Sequence, residues 1–265
     1  MATLFNKLFR RKKPAPLVCS VSLDAGSDSH ASSDHDHHHQ HTSACFLPFE
    51  PLAILELFQS QGCASCPPAV PAIHEGASQP NILLLTYNVT LFDHLGWADT
   101  LADARWDARQ RAYARTWGRN SLYAPMIVGN GSVDGAQGGG AQEVADVVAR
   151  SRDGNASLGW KVYLDVNDTD ARIDSDKVVG DDVYEIMMAV YDARPQKIKI
   201  KKGVNKGEKL EHRNVVTELR KVEEWKGGDA TVALPVTKGS LPQGHEAVVF
   251  LQGVGGGRIV AAAKL

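Results

Sequence analysis

A pair of cysteines, placed between a short apolar run and a segment that opens with two prolines, constrains the fold more than any other feature. Residues 52–58 read LAILELF and residues 61–68 read QGCASCPP. A short apolar run bounded by turn residues predicts a buried strand. Prolines are tolerated in the first turn of a helix, because the backbone N–H that proline lacks has no intrahelical partner there. The predicted order is strand, cysteine turn and helix, beginning near Pro51 and reaching about Ser78.

The next segments extend this unit into an α/β domain. Residues 82–89 form a continuous apolar run, which is typical of a strand in a sheet that is covered on both faces. Residues 103–117 lack a helix breaker and predict a helix that ends at Gly118. A hairpin is expected over residues 126–134, and a last helix over residues 141–150. A Cys-x-x-Cys motif beside such a βαβ pattern predicts a thioredoxin-like domain over residues 50–153.

Beyond Gly154 the pattern changes to short strand-like runs that are mostly separated by Gly or Pro. The runs cover residues 161–166, 184–191, 197–201, 231–234, 247–251 and 258–262. Residues 209–225 fit either a helix or a long strand, and the β-branched residues at positions 215–217 favour the strand. We therefore expect a β-rich, sandwich-like domain over residues 154–265.

Residues 1–49 are predicted to be a disordered extension that is basic at its start and rich in histidine further on. Ser, Asp, His, Pro and Ala dominate residues 14–41, and such a segment buries too little apolar surface to offset the entropy of ordering. The tract DHDHHHQH at residues 34–41 offers ligands to a transition metal. The weak metal candidates are His35, His37, His38, His39 and His41. Because they have no spaced partners in a folded frame, metal binding only in the test tube is the favoured alternative.

The charge balance, the apolar runs and the cysteine count restrict the class of protein. The chain has 29 Lys and Arg against 31 Asp and Glu, which gives no electrostatic reason to expect a nucleic-acid partner. No apolar run reaches about 18 residues, and the start lacks the apolar core of a secretory signal, so neither a transmembrane segment nor secretion is expected. The predicted localisation is cytoplasmic, with mitochondrial import as the alternative. Four cysteines do not suggest a disulfide-stapled scaffold.

Cys63 and Cys66 are the predicted catalytic residues. Unpaired N–H groups and the dipole at a helix amino terminus stabilise a thiolate. Cys63 is therefore the predicted nucleophile, and Cys66 is the thiol that resolves a mixed disulfide by attacking the Cys63 sulfur. A structural zinc site uses the same spacing, but it needs a second pair of ligands, and the sequence after residue 50 offers no such pair.

Two further residues are predicted to support the cysteine turn. Glu56 precedes it on the strand and is a candidate proton acceptor for Cys66; a solvated or salt-bridged Glu56 is the alternative. Pro125 precedes a predicted strand, where a cis-proline loop would face the cysteines and present backbone groups to an extended substrate. From the sequence alone, an ordinary trans proline before an edge strand is the commoner outcome there. His74, in the middle of the first helix, is predicted to lie on the surface.

The segment ELFQSQGCASCPP, at residues 56–68, resembles the signature of an uncharacterised thioredoxin-like family known as a domain of unknown function. Further matches are LGW at residues 95–97, RQRAYA at 109–114, YAP at 123–125, NKGE at 205–208 and NVV at 214–216. The resemblance runs from about residue 51 to the carboxyl terminus. It implies a thioredoxin-like fold with a β-rich carboxy-terminal extension, and it brings no substrate with it.

The chain departs from that family at two positions. The family often has His and Asp after its second strand, where this chain has Asn88 and Thr90. No acid–base or metal role is therefore carried over to these two residues. Asp93 and Trp97 do match. Trp97, Arg109 and Tyr113 are expected to pack beside the dithiol and brace its loop rather than to act in catalysis.

Three functions fit these observations. The first is a thiol–disulfide oxidoreductase that needs no cofactor and acts on a disulfide-bearing protein or a small thiol compound. The second is a copper or zinc handling protein that uses the same thiols, with the histidine tract gathering the ion. The third is a partner-binding protein that has a thioredoxin-like fold but no turnover.

Overall fold

The structure, a computed structural model, describes residues 50–135 and 140–265, and these residues belong to one compact unit. The helices are α1 (Cys66–Gly76), α2 (Ala104–Thr116) and α3 (Ala141–Ala156). The strands are β1 (Ala53–Gln59), β2 (Ile82–Asn88), β3 (Met126–Gly129), β4 (Val133–Gly135), β5 (Val162–Val166), β6 (Asp170–Ser175), β7 (Tyr184–Asp192), β8 (Gln196–Lys199), β9 (Lys209–His212), β10 (Val215–Trp225), β11 (Ala230–Ala233), β12 (His245–Gly253) and β13 (Ile259–Lys264). The expectations for residues 1–49, including the five candidate histidines, lie outside the described residues.

Strands β1 and β2 occupy the centre of the fold because both are apolar along almost their whole length. Every residue of β1 is buried, and in β2 only Ile82 is partly exposed. The two strands are parallel, with Leu55 opposite Leu84, and α1 connects them. A strand that is covered on both faces requires such a continuous apolar run. The predicted βαβ unit is therefore confirmed.

Eight strands form one large sheet in the order β13-β12-β7-β10-β2-β1-β3-β4. β2 is parallel to both of its neighbours, β1 and β10, and the other neighbouring strands are antiparallel. With its helices and this sheet, the described part of the chain has a mixed α/β fold with a large central sheet. The sequence predicts a domain boundary between residues 153 and 154, but the sheet contains strands from both sides of that point.

A short seam joins β10 to β2. Val215 pairs with Thr86, and the Thr86 N–H donates to the Asn214 carbonyl over 2.9 Å. Asn214 Nδ2 also donates to the Leu84 carbonyl over 2.8 Å. Asn214 has a φ of 50°, a left-handed conformation that asparagine adopts more readily than most residues. This turn divides residues 209–225 into two strands, β9 and β10, where the sequence predicts one long strand.

A smaller sheet of β11, β6 and β5, in that order, packs on the part of the large sheet that contains β7 and β12. Ile173 of β6, Met188 of β7 and Val249 of β12 belong to the apolar cluster between them. Two sheets thus face each other here, and the larger one also contains strands from the first half of the chain.

Most other predicted elements coincide with observed ones. The six strand runs predicted after Gly154 correspond to β5, β7, β8, β11, β12 and β13, and the helix predicted over residues 103–117 is α2. Helix α3 continues to Ala156, beyond its predicted end at residue 150. β6 has no counterpart among the predicted runs, although its buried Ala171 and Ile173 alternate with charged residues, a pattern typical of a half-buried strand.

Candidate dithiol site

The turn from Ser60 to Ser65 carries Cys63 from the end of β1 to the start of α1. The Cys63 N–H donates to the Ser60 carbonyl and the Cys66 N–H to the Cys63 carbonyl, each over 3.2 Å. Helix α1 begins at Cys66 and has proline in its first turn, as predicted. Both thiols are free; Cys66 is fully buried, whereas Cys63 keeps 4% of its surface exposed beside the exposed Ala64. Cys63 is thus the thiol closer to solvent.

The two thiols differ in acidity because they differ in burial and in hydrogen bonding. A hydrogen bond from the Cys66 side chain, helped by the N–H groups of Ser65 and Cys66, outweighs burial and lowers the pKa of Cys63 from 9.0 to about 6. Burial raises the pKa of Cys66 well above its ordinary value, and the interaction with Cys63 raises it further. At neutral pH, Cys63 is therefore the thiolate and Cys66 the thiol.

The loop before β3 lies against Cys63. The Ala124–Pro125 peptide is cis, and in its thiol form Cys63 donates from Sγ to the Ala124 carbonyl over 3.0 Å. Gln110 of α2 supports the loop by donating from Nε2 to the Tyr123 carbonyl over 2.7 Å. The peptide before Pro125 is thus cis and lies beside the dithiol, and its role in presenting backbone groups to a substrate stays a prediction.

Gln61 ties the cysteine turn to the loop that follows β2. Gln61 Oε1 accepts from Trp97 Nε1 over 2.9 Å, and Gln61 Nε2 donates to Thr100 Oγ1 over 3.1 Å. At the next position, a Cβ on Gly62 would lie 2.8 Å from the Phe92 carbonyl oxygen, so glycine is required there. Trp97 therefore braces the turn through Gln61, as the sequence analysis expects.

Asp99 is a buried carboxylate beside the turn that the sequence analysis does not single out. Asp99 Oδ2 accepts from the Gln61 N–H over 2.8 Å and from Asn88 Nδ2 over 3.0 Å, and Oδ1 accepts from the Leu101 N–H over 2.8 Å. Burial raises the pKa of Asp99, and its charge is a minor contributor to the raised pKa of Cys66. Its partner Gln61 is 38 positions away along the chain, so no local motif marks this contact.

Asn205, on the loop between β8 and β9, holds the cysteine turn from far along the chain. Its Nδ2 donates to the Gln61 carbonyl over 2.9 Å and to the Cys63 carbonyl over 2.7 Å, and only 5% of the residue is exposed. Nearby, Gly203 packs so closely that a Cβ there would lie 3.2 Å from the Leu95 carbonyl oxygen. The family resemblance includes residues 205–208, but only the structure shows that Asn205 contacts the dithiol turn.

Glu56 is fully buried, but its hydrogen bonds run to α2 rather than to Cys66. Arg109 Nε donates to Glu56 Oε1 over 2.6 Å, and the Tyr113 hydroxyl donates to Glu56 Oε2. Gln252 of β12 donates to the Tyr113 hydroxyl over 2.9 Å. Glu56 is therefore salt-bridged, which is the alternative to its predicted role as a proton acceptor for Cys66. Arg109 and Tyr113 brace β1 and β12 rather than the loop beside the dithiol.

Two buried imidazoles lie where α1 packs against β9. His212 Nδ1 accepts from Gln59 Nε2 over 2.7 Å and from Asn88 Nδ2 over 3.1 Å, and His74 Nδ1 lies 3.6 Å from Glu211 Oε1. The expectation that His74 lies on the surface is wrong, because β9 covers this side of α1. Burial lowers the pKa of both histidines from 6.5 to about 4. Both are therefore neutral near pH 7.

Residues 50–135 and 140–265 contain neither a metal-binding cluster nor a membrane-spanning helix. No cluster of three or more His, Cys, Asp or Glu side chains in these segments is arranged to hold a metal ion. None of the helices in the same segments combines the length and the apolar character that crossing a membrane requires. The histidine tract at residues 34–41 is outside the described residues.

The fold and the site together define a mixed α/β protein with a dithiol turn between a central strand and a helix. The profile of a family described as "Protein of unknown function (DUF1223)" matches residues 54–252. Because this match spans most of the chain, the protein belongs to that family. The comparison with curated proteins gives no match.

Similar solved structures include two bacterial proteins. Protein AGR_C_4864 from Agrobacterium tumefaciens is 29% identical, with a TM-score of 0.63, and the similarity covers 81% of this chain and 94% of that one. HBP35 of Porphyromonas gingivalis is 12% identical, with a TM-score of 0.54, over 82% of this chain and 75% of that one. At this identity, HBP35 shows likeness of fold alone. Neither name states an activity, so function has to be inferred from the site.

Proposed function

We propose that this protein is a thioredoxin-like thiol–disulfide oxidoreductase that acts on a protein or small-molecule disulfide through Cys63 and Cys66. One observation carries the proposal: both thiols sit on one turn at the start of α1, and the more exposed one lies against the carbonyl that precedes cis-Pro125. The lowered pKa of Cys63 and the raised pKa of Cys66 support the division into an attacking thiolate and a resolving thiol.

The arrangement of the elements around the turn supports the thioredoxin-like part of the proposal. Parallel β2 and β1 are followed across the sheet by antiparallel β3 and β4. Helices α1 and α3 pack against each other, and α3 also contacts β1 and β3. A Cys-x-x-Cys turn after the first strand of such a βαβ unit is typical of thioredoxin-like redox proteins.

In the proposed reaction, the Cys63 thiolate attacks one sulfur of a substrate disulfide and releases the other substrate sulfur as a thiolate, which takes up a proton from water. This step forms a mixed disulfide. Cys66 then attacks Cys63 Sγ, and its proton passes through water to the second substrate sulfur, which leaves as a thiol. Two electrons pass to the substrate, and the protein is left with a Cys63–Cys66 disulfide.

The Ala124 carbonyl is the group best placed to position such a substrate. It accepts the Cys63 thiol hydrogen when Cys63 is protonated, and it becomes available when Cys63 is a thiolate. A backbone N–H of an extended substrate can then donate to it, as in strand addition to a sheet edge. The exposed Ala64 and Ser65 have small side chains that leave room for the polypeptide next to Cys63.

Trapping of the mixed disulfide tests the proposal. A Cys19→Ser, Cys45→Ser background leaves Cys63 and Cys66 as the only thiols. In this background we expect Cys66→Ser protein to form a stable adduct with a disulfide-bonded peptide, because the resolving thiol is missing. The matched Cys63→Ser protein should form none. Mass spectrometry of the intact protein measures the adduct, and equal trapping by both variants, or by neither, would contradict the proposal.

The metal-handling and partner-binding hypotheses rest on the sequence, and each predicts a different result. Copper or zinc bound in a 1:1 ratio, kept when residues 34–41 are deleted and lost on Cys63→Ser, would favour metal handling. A functional assay that tolerates substitution of both cysteines would favour partner binding.

A further inference from the structure

The hairpin of β8 and β9 carries a dense group of exposed lysines. They are Lys197, Lys199, Lys201, Lys202, Lys206 and Lys209, here called the basic hairpin. Residues 196–213 contain these six lysines and one arginine against two glutamates, an excess of five positive charges, whereas the whole chain has a net charge of −2. The positive charge is therefore concentrated in one short segment.

The positive charge of the basic hairpin is little compensated by the protein itself. Of the two glutamates in the segment, Glu211 pairs with Arg213 over 2.6 Å and Glu208 is exposed. Within residues 50–135 and 140–265, no ion pair between these six lysines and a carboxylate is formed at 4.0 Å or less. Glu211 lies opposite Lys197 and offsets part of its charge, and the remaining excess of like charges at the surface attracts ligands of the opposite sign.

The basic hairpin is fixed directly to the dithiol turn. Asn205, between Lys202 and Lys206, donates to the Cys63 carbonyl over 2.7 Å. On the same loop, Gly203 packs on the segment that contains Leu95, and Val204 is 62% exposed. The loop that carries Lys201, Lys202 and Lys206 is thereby attached to the cysteine turn through Asn205.

We propose that the basic hairpin is the docking surface for an acidic polypeptide, and that this polypeptide carries the disulfide that Cys63 attacks. The proposal rests on the proposed oxidoreductase function and names the substrate class for it. Nucleic acids and lipid surfaces are also anionic, but they contain no disulfide for the neighbouring Cys63. The contact of Asn205 with the turn links the charged surface to the thiols, and this link favours the polypeptide.

Electrostatic attraction acts on the rate of encounter and is screened by salt. Exposed charges interact over about 10 Å at an ionic strength near 0.1 M. Steering of a charged partner raises association rates by roughly 10-fold to 1,000-fold at low salt. Reaction of the reduced protein with an acidic disulfide peptide should therefore be fast at low salt and should slow as salt is added.

The experiment compares three disulfide-bonded peptides of equal length with acidic, neutral and basic flanks. The rate of oxidation of the Cys63–Cys66 pair is measured in the Cys19→Ser, Cys45→Ser background at low and high salt. We expect the acidic peptide to react on the order of 10-fold faster than the basic peptide at low salt. Lys201→Glu, Lys202→Glu, Lys206→Glu protein should reverse this order. The matched control, Lys161→Glu, Lys226→Glu, Lys238→Glu, changes three other exposed lysines and should keep it.

A second arm separates this inference from the proposed function. Binding of the acidic peptide with its cysteines replaced by serine is measured by fluorescence anisotropy, beside a single-stranded oligonucleotide of equal charge. Peptide binding without any disulfide reaction would refute the oxidoreductase function and leave an acidic-polypeptide surface. Equal rates for all three peptides, an unchanged preference in the Lys201/Lys202/Lys206 variant, or tighter binding of the oligonucleotide would each overturn the docking proposal. Circular dichroism checks that the variants fold.

Discussion

Arg109 and Glu56 form an ion pair inside the protein, with Arg109 Nε 2.6 Å from Glu56 Oε1 and the carboxylate fully buried. A buried charge is tolerated only when it is paired and hydrogen-bonded, and the Tyr113 hydroxyl supplies the second hydrogen bond to Glu56. The guanidinium also lies over the rings of Tyr113 and Phe250, 5.2 Å and 5.8 Å from their centroids. The pair therefore connects β1, α2 and β12 through buried contacts.

Removing one charge of this pair should destabilise the protein. Glu56→Gln leaves the Arg109 charge buried without its partner, and breaking a buried pair in this way costs on the order of 3 kcal/mol. Guanidinium-induced unfolding followed by circular dichroism measures the loss. Asp174→Asn removes an exposed carboxylate that pairs with Arg172 over 2.8 Å, and it should leave the midpoint unchanged. A Glu56→Gln midpoint equal to that of the native protein would contradict the structural role.

The acidity of Cys63 should depend on Cys66. The pKa of Cys63 is lowered to about 6, and the hydrogen bond from Cys66 is the largest cause. Thiolate is the reactive form, so the rate of alkylation by iodoacetamide should rise with pH around 6 and level off above it. Cys66→Ala should move this inflection towards 9.0, the ordinary value. Mass spectrometry of Cys19→Ser, Cys45→Ser protein at a series of pH values measures both curves, and coincident curves would rule out the contribution of Cys66.

The local features of this site are predictable from the sequence, but its long-range contacts are not. The apolar run before Cys63 and the prolines after Cys66 predict the strand and the start of the helix. The contacts of Asn205 and Asp99 with Gln61 cross 144 and 38 positions of the chain, and they depend on how the sheet is assembled. The partner of Glu56 is equally unpredictable, because the position of a residue in a strand does not reveal which neighbouring side chain it will contact.

Sheet assembly is also the reason why the predicted division of the chain differs from the observed arrangement. The strand runs of the second half are marked by β-branched and alternating residues, but pairing between β10 and β2 depends on Val215 meeting Thr86. That register follows from the turn at Asn214. The residue composition of the chain changes near Gly154, but the large sheet continues across this point, so the change does not mark a structural boundary.

The two buried histidines should make stability sensitive to mild acid. In the folded protein the pKa of both His74 and His212 is about 4, whereas an unburied histidine has a pKa of 6.5. Between pH 4 and pH 6.5 the unfolded state therefore binds more protons than the folded state. The contribution of each neutral imidazole to the free energy of unfolding is therefore fully present above pH 6.5. It falls by about 1.4 kcal/mol per pH unit for each imidazole as the pH drops towards 4. His74→Gln should make this slope shallower. His94→Gln, at an exposed position, should leave it unchanged. Urea unfolding between pH 4 and pH 7 measures the slopes, and an equal slope for His74→Gln would count against the burial effect.

Loss of the Asn205 side chain should loosen the cysteine turn. Asn205→Ala leaves the carbonyls of Gln61 and Cys63 without their donor, at a cost of about 1–3 kcal/mol. Amide hydrogen exchange of a peptide that spans residues 60–66 should become faster. Val204→Ala, at the exposed neighbouring position, is the control and should leave exchange as it is. Unchanged protection in Asn205→Ala would show that the turn holds its shape without this residue.

The pairing of β10 with β2 also affects how the chain folds during its synthesis. Leu84 accepts a hydrogen bond from Asn214, a residue that the ribosome adds 130 positions later. Until then, the nascent chain carries β2 with one open edge, and an apolar open edge is prone to pair with other chains. A fragment that ends at residue 153 would keep that edge permanently. When it is produced by itself, this fragment is therefore expected to aggregate, because it lacks β10, the strand that covers this edge of β2 in the full chain.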